Sequence, residues 1–289
     1  MTKQEFQDLV GRGPLILDGA TGSNLMKAGM PKGVCTEQWI LEHPAVLTEL
    51  QQEYVDAGSQ IIYAPTFAAN RISLAEHGLE NKMKQMIFQL VSLSKSCAKE
   101  GCWVAGDLTT TGKTDIPYEE LYTVYQEQIS CLADAGVDLL VAETMMTLDE
   151  TMAAVEAAHA VCDLPILCSL TIESDGSLFF GGNIFETAVT LQEIGADAVG
   201  INCSAGPDQF ESIISTLKES LTVPVIAKPN AGMPTIDEKG EAHYSMGAPE
   251  FARHMKRLVE LGADIVGGCC GTTPEFIREL VKILKKTLS

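Results

Sequence analysis

Basic side chains are scarce in this chain of 289 residues. Twenty Lys and Arg stand against 39 Asp and Glu, which gives a formal net charge of −19 at pH 7. This balance argues against nucleic-acid binding, because phosphates require a stripe of positive charge, and against docking on an anionic membrane surface. The five His are scattered along the chain, so a His-rich metal site is not expected.

Export signals are also lacking. The segment from Met1 to Asp8 has no apolar core of the kind found in signal peptides, and no apolar run approaches the roughly 20 residues of a membrane span. We therefore expect a cytoplasmic protein. The nine Cys are an odd number in a large chain, which argues against a disulfide framework and favours metal or catalytic use of some thiols.

Eight short apolar runs, each followed by a helical pattern, organise the chain. The runs are continuous rather than alternating, as in parallel strands that are covered on both faces. We predict strands at 14–18, 60–64, 102–107, 137–143, 165–170, 198–203, 224–228 and 264–269. We predict helices near 45–56, 81–99, 119–134, 149–161, 184–194, 208–220, 249–261 and 274–287.

Eight strand–helix units without a break in composition predict an α/β fold, a (β/α)8 TIM barrel, as a single domain over residues 1–289. A doubly wound open sheet is the alternative. It is less favoured because the segment from Asp18 to Gly22, DGATG, does not match the dinucleotide fingerprint G-x-G-x-x-G. Glycines repeatedly end the predicted helices shortly before the next strand, as in Ala135-Gly136-Val137-Asp138.

Catalytic groups of such barrels lie at the C-terminal ends of the strands. Those ends carry Asp18, Thr66, Asp107, Glu143, Cys203, Lys228, Asn230, Cys269 and Cys270. The three cysteines, Cys203, Cys269 and Cys270, are called the thiol cluster below. Three thiolates suit Zn²⁺ and leave one position open, which is typical of a catalytic zinc. A small buried Cys pair, or a vicinal disulfide between Cys269 and Cys270, is the alternative.

The charge of such a zinc site indicates its chemistry. Three thiolates make the ion a weak Lewis acid for carbonyl groups, but one suited to binding a substrate thiol. A free thiol with a pKa of about 8.5 is mostly protonated at neutral pH, and the ion would hold it as thiolate. The thiol cluster therefore indicates alkyl transfer onto sulfur.

Other interpretations of the strand ends remain open. Lys228 could form a Schiff base, as in barrel aldolases, or a salt bridge at the rim. Asp107 could be a third carboxylate at the rim or cap a turn. A non-catalytic zinc- or thiol-binding module is a further hypothesis. The long connection 231–248 is interpreted as a lid or as a small rigid flap, with a hairpin turn at Asp237–Gly240.

Six segments resemble the homocysteine S-methyltransferase family, over about residues 12 to 285. They are DGATGS from Asp18, Thr66-Phe67 with Asn70-Arg71, Glu143-Thr144, GINCSAGP from Gly200, PNAG from Pro229 and GGCCGTTP from Gly267. The last segment is the most specific. The resemblance implies a (β/α)8 barrel, a zinc ion bound by Cys203, Cys269 and Cys270, and methyl transfer to the thiol of homocysteine that gives methionine.

The resemblance also implies a substrate site. Asp18 and Glu143 would hold the amino group of homocysteine, and the backbone N–H groups of Gly19 and Ala20 would take its carboxylate. Thr66 is expected at the same rim. Asn230 is similar to the family residue that fills the fourth position of zinc before the substrate arrives.

The methyl donor is the least defined part of the resemblance. Gly271 and the PNAG segment look most like the homocysteine module of cobalamin-dependent methionine synthase; donors of the S-methylmethionine or betaine type are the alternatives. The chain has no D-x-H-x-x-G segment of cobalamin domains, so a separate domain or corrinoid protein is expected to deliver methylcobalamin. Ala64-Pro65 and the segment from Asp107 to Thr110 depart from the usual Thr-Asn and Ser-Ile-Gly-Pro.

Overall fold

The computed structural model describes residues 1–237 and 242–288. Its strands are β1 (Leu15–Ile16), β2 (Ile61–Ala64), β3 (Trp103–Leu108), β4 (Leu139–Met145), β5 (Ile166–Leu170), β6 (Ala198–Cys203), β7 (Val225–Pro229), β8 (Pro234–Ile236), β9 (Ala242–Tyr244) and β10 (Ile265–Val266). Its helices are α1 (Lys3–Val10), α2 (Gly22–Lys27), α3 (Thr36–Glu42), α4 (Pro44–Ala57), α5 (Arg71–Ala75), α6 (Met83–Cys97), α7 (Tyr118–Ala135), α8 (Leu148–Val161), α9 (Ile184–Glu193), α10 (Glu211–Ser220), α11 (Ala248–Glu260) and α12 (Pro274–Leu288). Among these helices, none is both long enough and apolar enough to cross a membrane.

Eight of the strands form a parallel sheet in the order β1-β10-β7-β6-β5-β4-β3-β2. The sheet closes on itself through the bridge pair of Leu17 and Ile61. The predicted (β/α)8 barrel is therefore confirmed, and the open doubly wound sheet is not found. Each predicted strand and helix is present within a few residues of its expected bounds, because the apolar runs and the helix-ending glycines mark both kinds of element.

The seam between β1 and β2 combines a backbone hydrogen bond with two hydrogen bonds to side chains. Ile16 N donates to Gln60 Oε1 at 3.0 Å, and Gln60 N donates to Ile16 O at 2.7 Å. One step further, Tyr63 N donates to Asp18 Oδ2 at 2.8 Å. Asp18 is thus fixed in place as part of the closure of the barrel.

The repeated glycine–aspartate ends of the helices also fix the starts of neighbouring strands. Gly136 ends α7 with a φ of 83°, in the left-handed region that glycine adopts without strain. The following Asp138 accepts a hydrogen bond from Val104 N at 2.7 Å, and Asp264 accepts one from Val225 N at 2.9 Å. Each aspartate therefore pins the beginning of the adjacent strand.

Helix α1, which the sequence did not predict, closes the N-terminal end of the barrel. Phe6 and Leu9 are buried and pack against the apolar side chains inside the barrel. Lys3 forms a salt bridge with Asp197 at 3.0 Å, next to the start of β6. The helix was missed because its short amphipathic pattern stands outside the eight repeated units.

Strands β8 and β9 form an antiparallel hairpin, called the flap below, in the connection between β7 and α11. Pro234 lies opposite Tyr244 in this pair. The hairpin agrees with the predicted flap. Residues 238–240 of the predicted turn at Asp237–Gly240 lie outside the described residues, so that turn remains a prediction.

Candidate active site

The thiol cluster is assembled at the C-terminal ends of two strands. Cys203 ends β6, and Cys269 and Cys270 follow β10, with only β7 between the two strands. The three Sγ atoms lie within 4.8 Å of one another, so the strand ends bring together the residues that the sequence singled out. Hydrogen bonds with Cys203 and Cys269 lower the pKa of Cys270 to about 3. Hydrogen bonds with Cys269 and Cys270 raise the pKa of Cys203. The cluster therefore favours a thiolate.

The donor set fits a zinc ion. Tetrahedral zinc with bonds of about 2.3 Å to sulfur needs sulfur atoms about 3.8 Å apart, within the limit observed. In the described part of the chain, no other three His, Cys, Asp or Glu residues meet this geometry. Asn230 follows Pro229, the register partner of Cys203, and its Oδ1 is buried without a hydrogen-bond partner. The role of Asn230 as a further ligand remains a prediction.

The backbone that presents Cys203 is strained. Within the described ranges, the non-glycine residues with positive φ are Thr144 at 56°, Cys203 at 55° and Ser204 at 59°, and this conformation is costly for L-residues. Asn202 braces it, since its Oδ1 accepts from Thr144 N and its Nδ2 donates to Thr144 Oγ1, both at 2.8 Å. Nδ2 also lies 3.9 Å from Cys269 Sγ. Asn202 therefore joins the end of β4 to both arms of the thiol cluster.

A second group of side chains lies inside the barrel mouth. It consists of Asp18, Asp107, Glu143 and Lys228 and is called the carboxylate–lysine cluster below. Lys228 Nζ is 3.3 Å from Glu143 Oε2 and 3.9 Å from Asp18 Oδ1, and it stands 4.7 Å from the centre of the Tyr63 ring. All four members are buried, so Asp18 and Glu143 share one ammonium group away from bulk water, and the carboxyl group of Asp107 is buried in the same cavity.

Burial disfavours the charged forms of these carboxylates. It raises the pKa of Asp18 to about 7 in spite of Lys228 and the Tyr63 N–H. It also raises the pKa of Glu143 and, together with the neighbouring Glu143, the pKa of Asp107. Burial alone would lower the pKa of Lys228, but Glu143 and Asp18 outweigh it and hold that pKa well above its ordinary value. Lys228 therefore stays protonated, which argues against a Schiff-base role and agrees with the predicted salt bridge.

A cavity of about 330 Å³ connects the two clusters. Asp18, Gly19, Ala20, Glu143 and Lys228 line it together with the three cysteines. Thr66 and Asn230 are not among its lining residues.

Two predicted site residues already have partners around this cavity. Thr66 Oγ1 donates to Asp107 O at 2.9 Å and accepts from Asp107 N at 3.1 Å, so Thr66 holds the end of β3. Ala20 N donates to Thr272 Oγ1 at 3.1 Å. The roles expected for both residues toward the substrate remain predictions.

The flap reaches the thiol cluster through Tyr244. Ala231 N, at the base of the flap, donates to Cys270 O at 2.9 Å. Gly271 has a φ of +83°, and a Cβ at this position would lie only 2.4 Å from Tyr244 Cγ. Glycine therefore lets the Tyr244 ring lie against the turn that carries Cys270.

Sequence reasoning did not identify Tyr63, Asn202 and Tyr244 as parts of the site. Asn202 directly precedes Cys203 in the GINC segment, so a usable signal was present. Tyr63 and Tyr244 stand in ordinary strand sequence, and only the closure of the barrel and the fold of the flap bring them to the clusters.

Comparisons with known proteins find similar sequences and a similar fold. A sequence model of the family described as "Homocysteine S-methyltransferase" matches residues 15–284. The methionine synthases of Mycobacterium leprae (strain TN) and Mycobacterium tuberculosis (strain ATCC 25618 / H37Rv) are 28% and 27% identical over 92% and 96% of this chain. The chain spans about a quarter of these relatives, 24% and 25% of their lengths.

One solved structure has the same fold over nearly the whole chain. It is the oxidized form of the homocysteine methyltransferase MmuM from Escherichia coli, with a TM-score of 0.79 and 24% sequence identity. The match covers 93% of this chain and 96% of that chain.

Proposed function

Because this chain belongs to the homocysteine S-methyltransferase family, whose sequence model matches residues 15–284, we propose that it transfers a methyl group to the thiol of homocysteine and forms methionine. The observation that carries the proposal is the pairing of the two clusters in one cavity. The thiol cluster suits a sulfur-binding metal, and the carboxylate–lysine cluster suits the charged end of an amino acid. A thiol-containing amino acid spans both.

The side chains of the thiol cluster would hold the metal. Cys203, Cys269 and Cys270 are the proposed zinc ligands, with Asn230 Oδ1 as a fourth ligand in the substrate-free enzyme. When bound, zinc would keep the substrate sulfur as a thiolate at neutral pH. The strained backbone at Cys203 and the brace of Asn202 hold the ligands in place, so that little rearrangement is needed.

Asp18 and Glu143 are the proposed partners of the α-ammonium group of homocysteine. Asp18 Oδ1 and Glu143 Oε2 are buried, and Lys228 Nζ is their ion-pair partner. Neither oxygen accepts a hydrogen bond of good geometry, and a substrate ammonium group would supply donors for both. Gly19 and Ala20 line the cavity beside Asp18 and remain proposed contacts of the substrate. Thr66 acts through Asp107, whose backbone it holds.

We propose methylcobalamin on a separate domain or corrinoid protein as the methyl donor. The bond between the methyl carbon and the donor would break, and its electron pair would stay with the donor. The methyl carbon would form its new bond with a lone pair of the homocysteine sulfur. Support comes from the methionine synthase relatives, of which the chain spans about a quarter. Gly271 adds support, because the resemblance to the cobalamin-dependent module rests partly on this glycine. The Tyr244 ring fills the space that a larger side chain at this position would need.

The test compares donors directly. Homocysteine consumption and methionine formation are measured in parallel with methylcobalamin, S-methylmethionine and betaine. Turnover with methylcobalamin supports the proposal, and turnover with another donor instead would assign the chain to that branch. Zinc binding without turnover from any donor would indicate a non-catalytic module. Borohydride trapping of a carbonyl substrate on Lys228 would indicate an aldolase.

A further inference from the structure

The substrate ammonium group is assigned to the carboxylates of Asp18 and Glu143, and Lys228 already lies between these two groups. Its Nζ lies 3.3 Å from Glu143 Oε2 and 3.9 Å from Asp18 Oδ1, and only 3% of the residue is exposed. An amine that bound Asp18 and Glu143 would therefore lie next to a second ammonium group. Two like charges this close repel strongly in a buried site, so the substrate must supply something that separates them.

The α-carboxylate of an amino acid can do this, because it is bonded to the same carbon as the ammonium group. That carboxylate needs donors of its own in the cavity. Ala20 N–H, one of the two backbone donors expected to bind it, already donates to Thr272 Oγ1 at 3.1 Å. Lys228 lines the cavity beside Gly19 and Ala20 and carries a positive charge.

Asp107 completes the charge pattern. Its Oδ1 is buried without a hydrogen-bond partner, and it lines the same cavity. The carboxylate–lysine cluster thus has three acidic groups and one basic group. A zwitterion adds one charge of each sign, and both of its charged groups find a group of opposite sign in this cluster.

On the basis of the proposed function, we propose that Lys228 binds the α-carboxylate of the thiol substrate and thereby selects zwitterionic amino-acid thiols over simple aminothiols. Asp107, the third carboxylate of the cluster, faces the same cavity. It offsets the charge of Lys228 when Asp18 and Glu143 bind the substrate ammonium group.

Three thiols that differ only in their charged groups test this inference. They are homocysteine, 3-aminopropane-1-thiol without the carboxylate, and 4-sulfanylbutanoate without the ammonium group. Binding to the cobalt(II)-substituted protein is followed by visible absorption, which reports thiol coordination without turnover. The parent protein should bind homocysteine about 10- to 100-fold more tightly than either analogue, as expected for one charge-assisted contact.

Substitution of Lys228 separates its role from general charge balance. Lys228→Met should reduce the preference for homocysteine over 3-aminopropane-1-thiol to nearly one, whereas Lys228→Arg should retain part of it. Lys218→Met is the matched control, because Lys218 is half-exposed and pairs with Asp264 at the opposite end of the barrel. This control should retain the full preference.

The outcomes distinguish this inference from the proposed function. Equal affinity of the parent protein for homocysteine and 3-aminopropane-1-thiol would overturn the role of Lys228 without any variant, and so would an equal loss of both affinities in Lys228→Met. In either case coordination of thiols would still support the proposed function. If none of the three thiols changed the cobalt spectrum, the proposed function itself would fail.

Discussion

The two ends of the barrel are built from the same strands but differ in character. On β4 and β7, Val141 and Ile226 belong to the apolar cluster inside the barrel. Two residues further along, Glu143 and Lys228 form a buried ion pair at 3.3 Å. Side chains two residues apart share a face of a strand and are separated by roughly 7 Å. Apolar packing therefore changes to charged groups within one step along the barrel axis.

The two ends also make opposite contributions to stability. The N-terminal end is closed by α1 and buries hydrophobic surface around Phe6. The C-terminal end buries three carboxyl groups, Asp18, Asp107 and Glu143, with the single ammonium group of Lys228, and burial of charged groups is destabilising unless each is fully paired. The apolar end stabilises a fold whose other end is arranged for binding. Substitutions at the two ends should therefore separate stability from function.

The largest effect is expected at the thiol cluster. The parent protein should contain about one zinc per chain, and Cys203→Ser, Cys269→Ser and Cys270→Ser should each lose metal and methyl transfer. The fold should remain, because these residues lie beyond the apolar end. Metal analysis and circular dichroism provide the measurements. Cys102→Ser, at the start of β3, is the control, and stoichiometric zinc in all three cluster variants would refute the assignment.

The next effect concerns the apolar end alone. Phe6→Ala should lower the free energy of unfolding by about 3–5 kcal/mol, because a fully buried aromatic ring is removed. The folded variant should bind homocysteine with the affinity of the parent. Urea unfolding and binding calorimetry check both statements, with the exposed Gln4→Ala as control. A large loss of affinity in folded Phe6→Ala would show that the two ends are coupled.

Glu143→Gln addresses the charged end alone. It should weaken homocysteine binding about 10- to 100-fold, as the loss of a charge-assisted contact predicts, and leave the zinc content unchanged. Calorimetry with homocysteine and metal analysis of the same sample provide the measurements. The exposed Glu156→Gln is the control, and unchanged affinity in Glu143→Gln would reject the ammonium site.

The smallest effect is a gain of stability at the charged end. The pKa of Asp18 is raised from 3.8 to about 7 in the folded protein, so between these values the folded state holds a proton that the unfolded state has lost. The contribution of Asp18 to stability is then full below about pH 4 and falls as pH rises to about 7. Asp18→Asn removes this loss while weakening homocysteine binding.

The variant should exceed the parent in unfolding free energy at pH 8 by on the order of 1 kcal/mol, and by less at pH 5. Urea unfolding of the substrate-free protein at both pH values measures the difference. Asp8→Asn, on the exposed face of α1, is the control. A variant less stable than the parent at pH 8 would show that Asp18 contributes more through its bond with Tyr63 N than its burial costs.

The fold was largely predictable because its signals are repeated. Continuous apolar runs mark the strands, and glycines such as Gly136 end the helices. The thiol cluster was predictable because all three cysteines follow strands. The carboxylate–lysine cluster was only partly predictable, since both faces of these strands are apolar and the sequence does not show which residues face inward. The sequence accordingly leaves two alternatives for Asp107, a third carboxylate at the rim or a turn cap. It also leaves two for Lys228, a Schiff base or a salt bridge at the rim.

The seam of the barrel has a consequence for local opening. Strand β1 is two residues long, and its link to β2 consists of the bridge pair of Leu17 and Ile61 and a few flanking hydrogen bonds. Short ladders open at lower free energy than long ones. Asp18 lies directly beyond β1, so opening here separates it from Glu143. A substrate held by both carboxylates would link the two sides of the seam. Homocysteine should therefore slow amide hydrogen exchange at Tyr63, whose N–H donates to Asp18 Oδ2 across the seam, more than at Leu167 in β5.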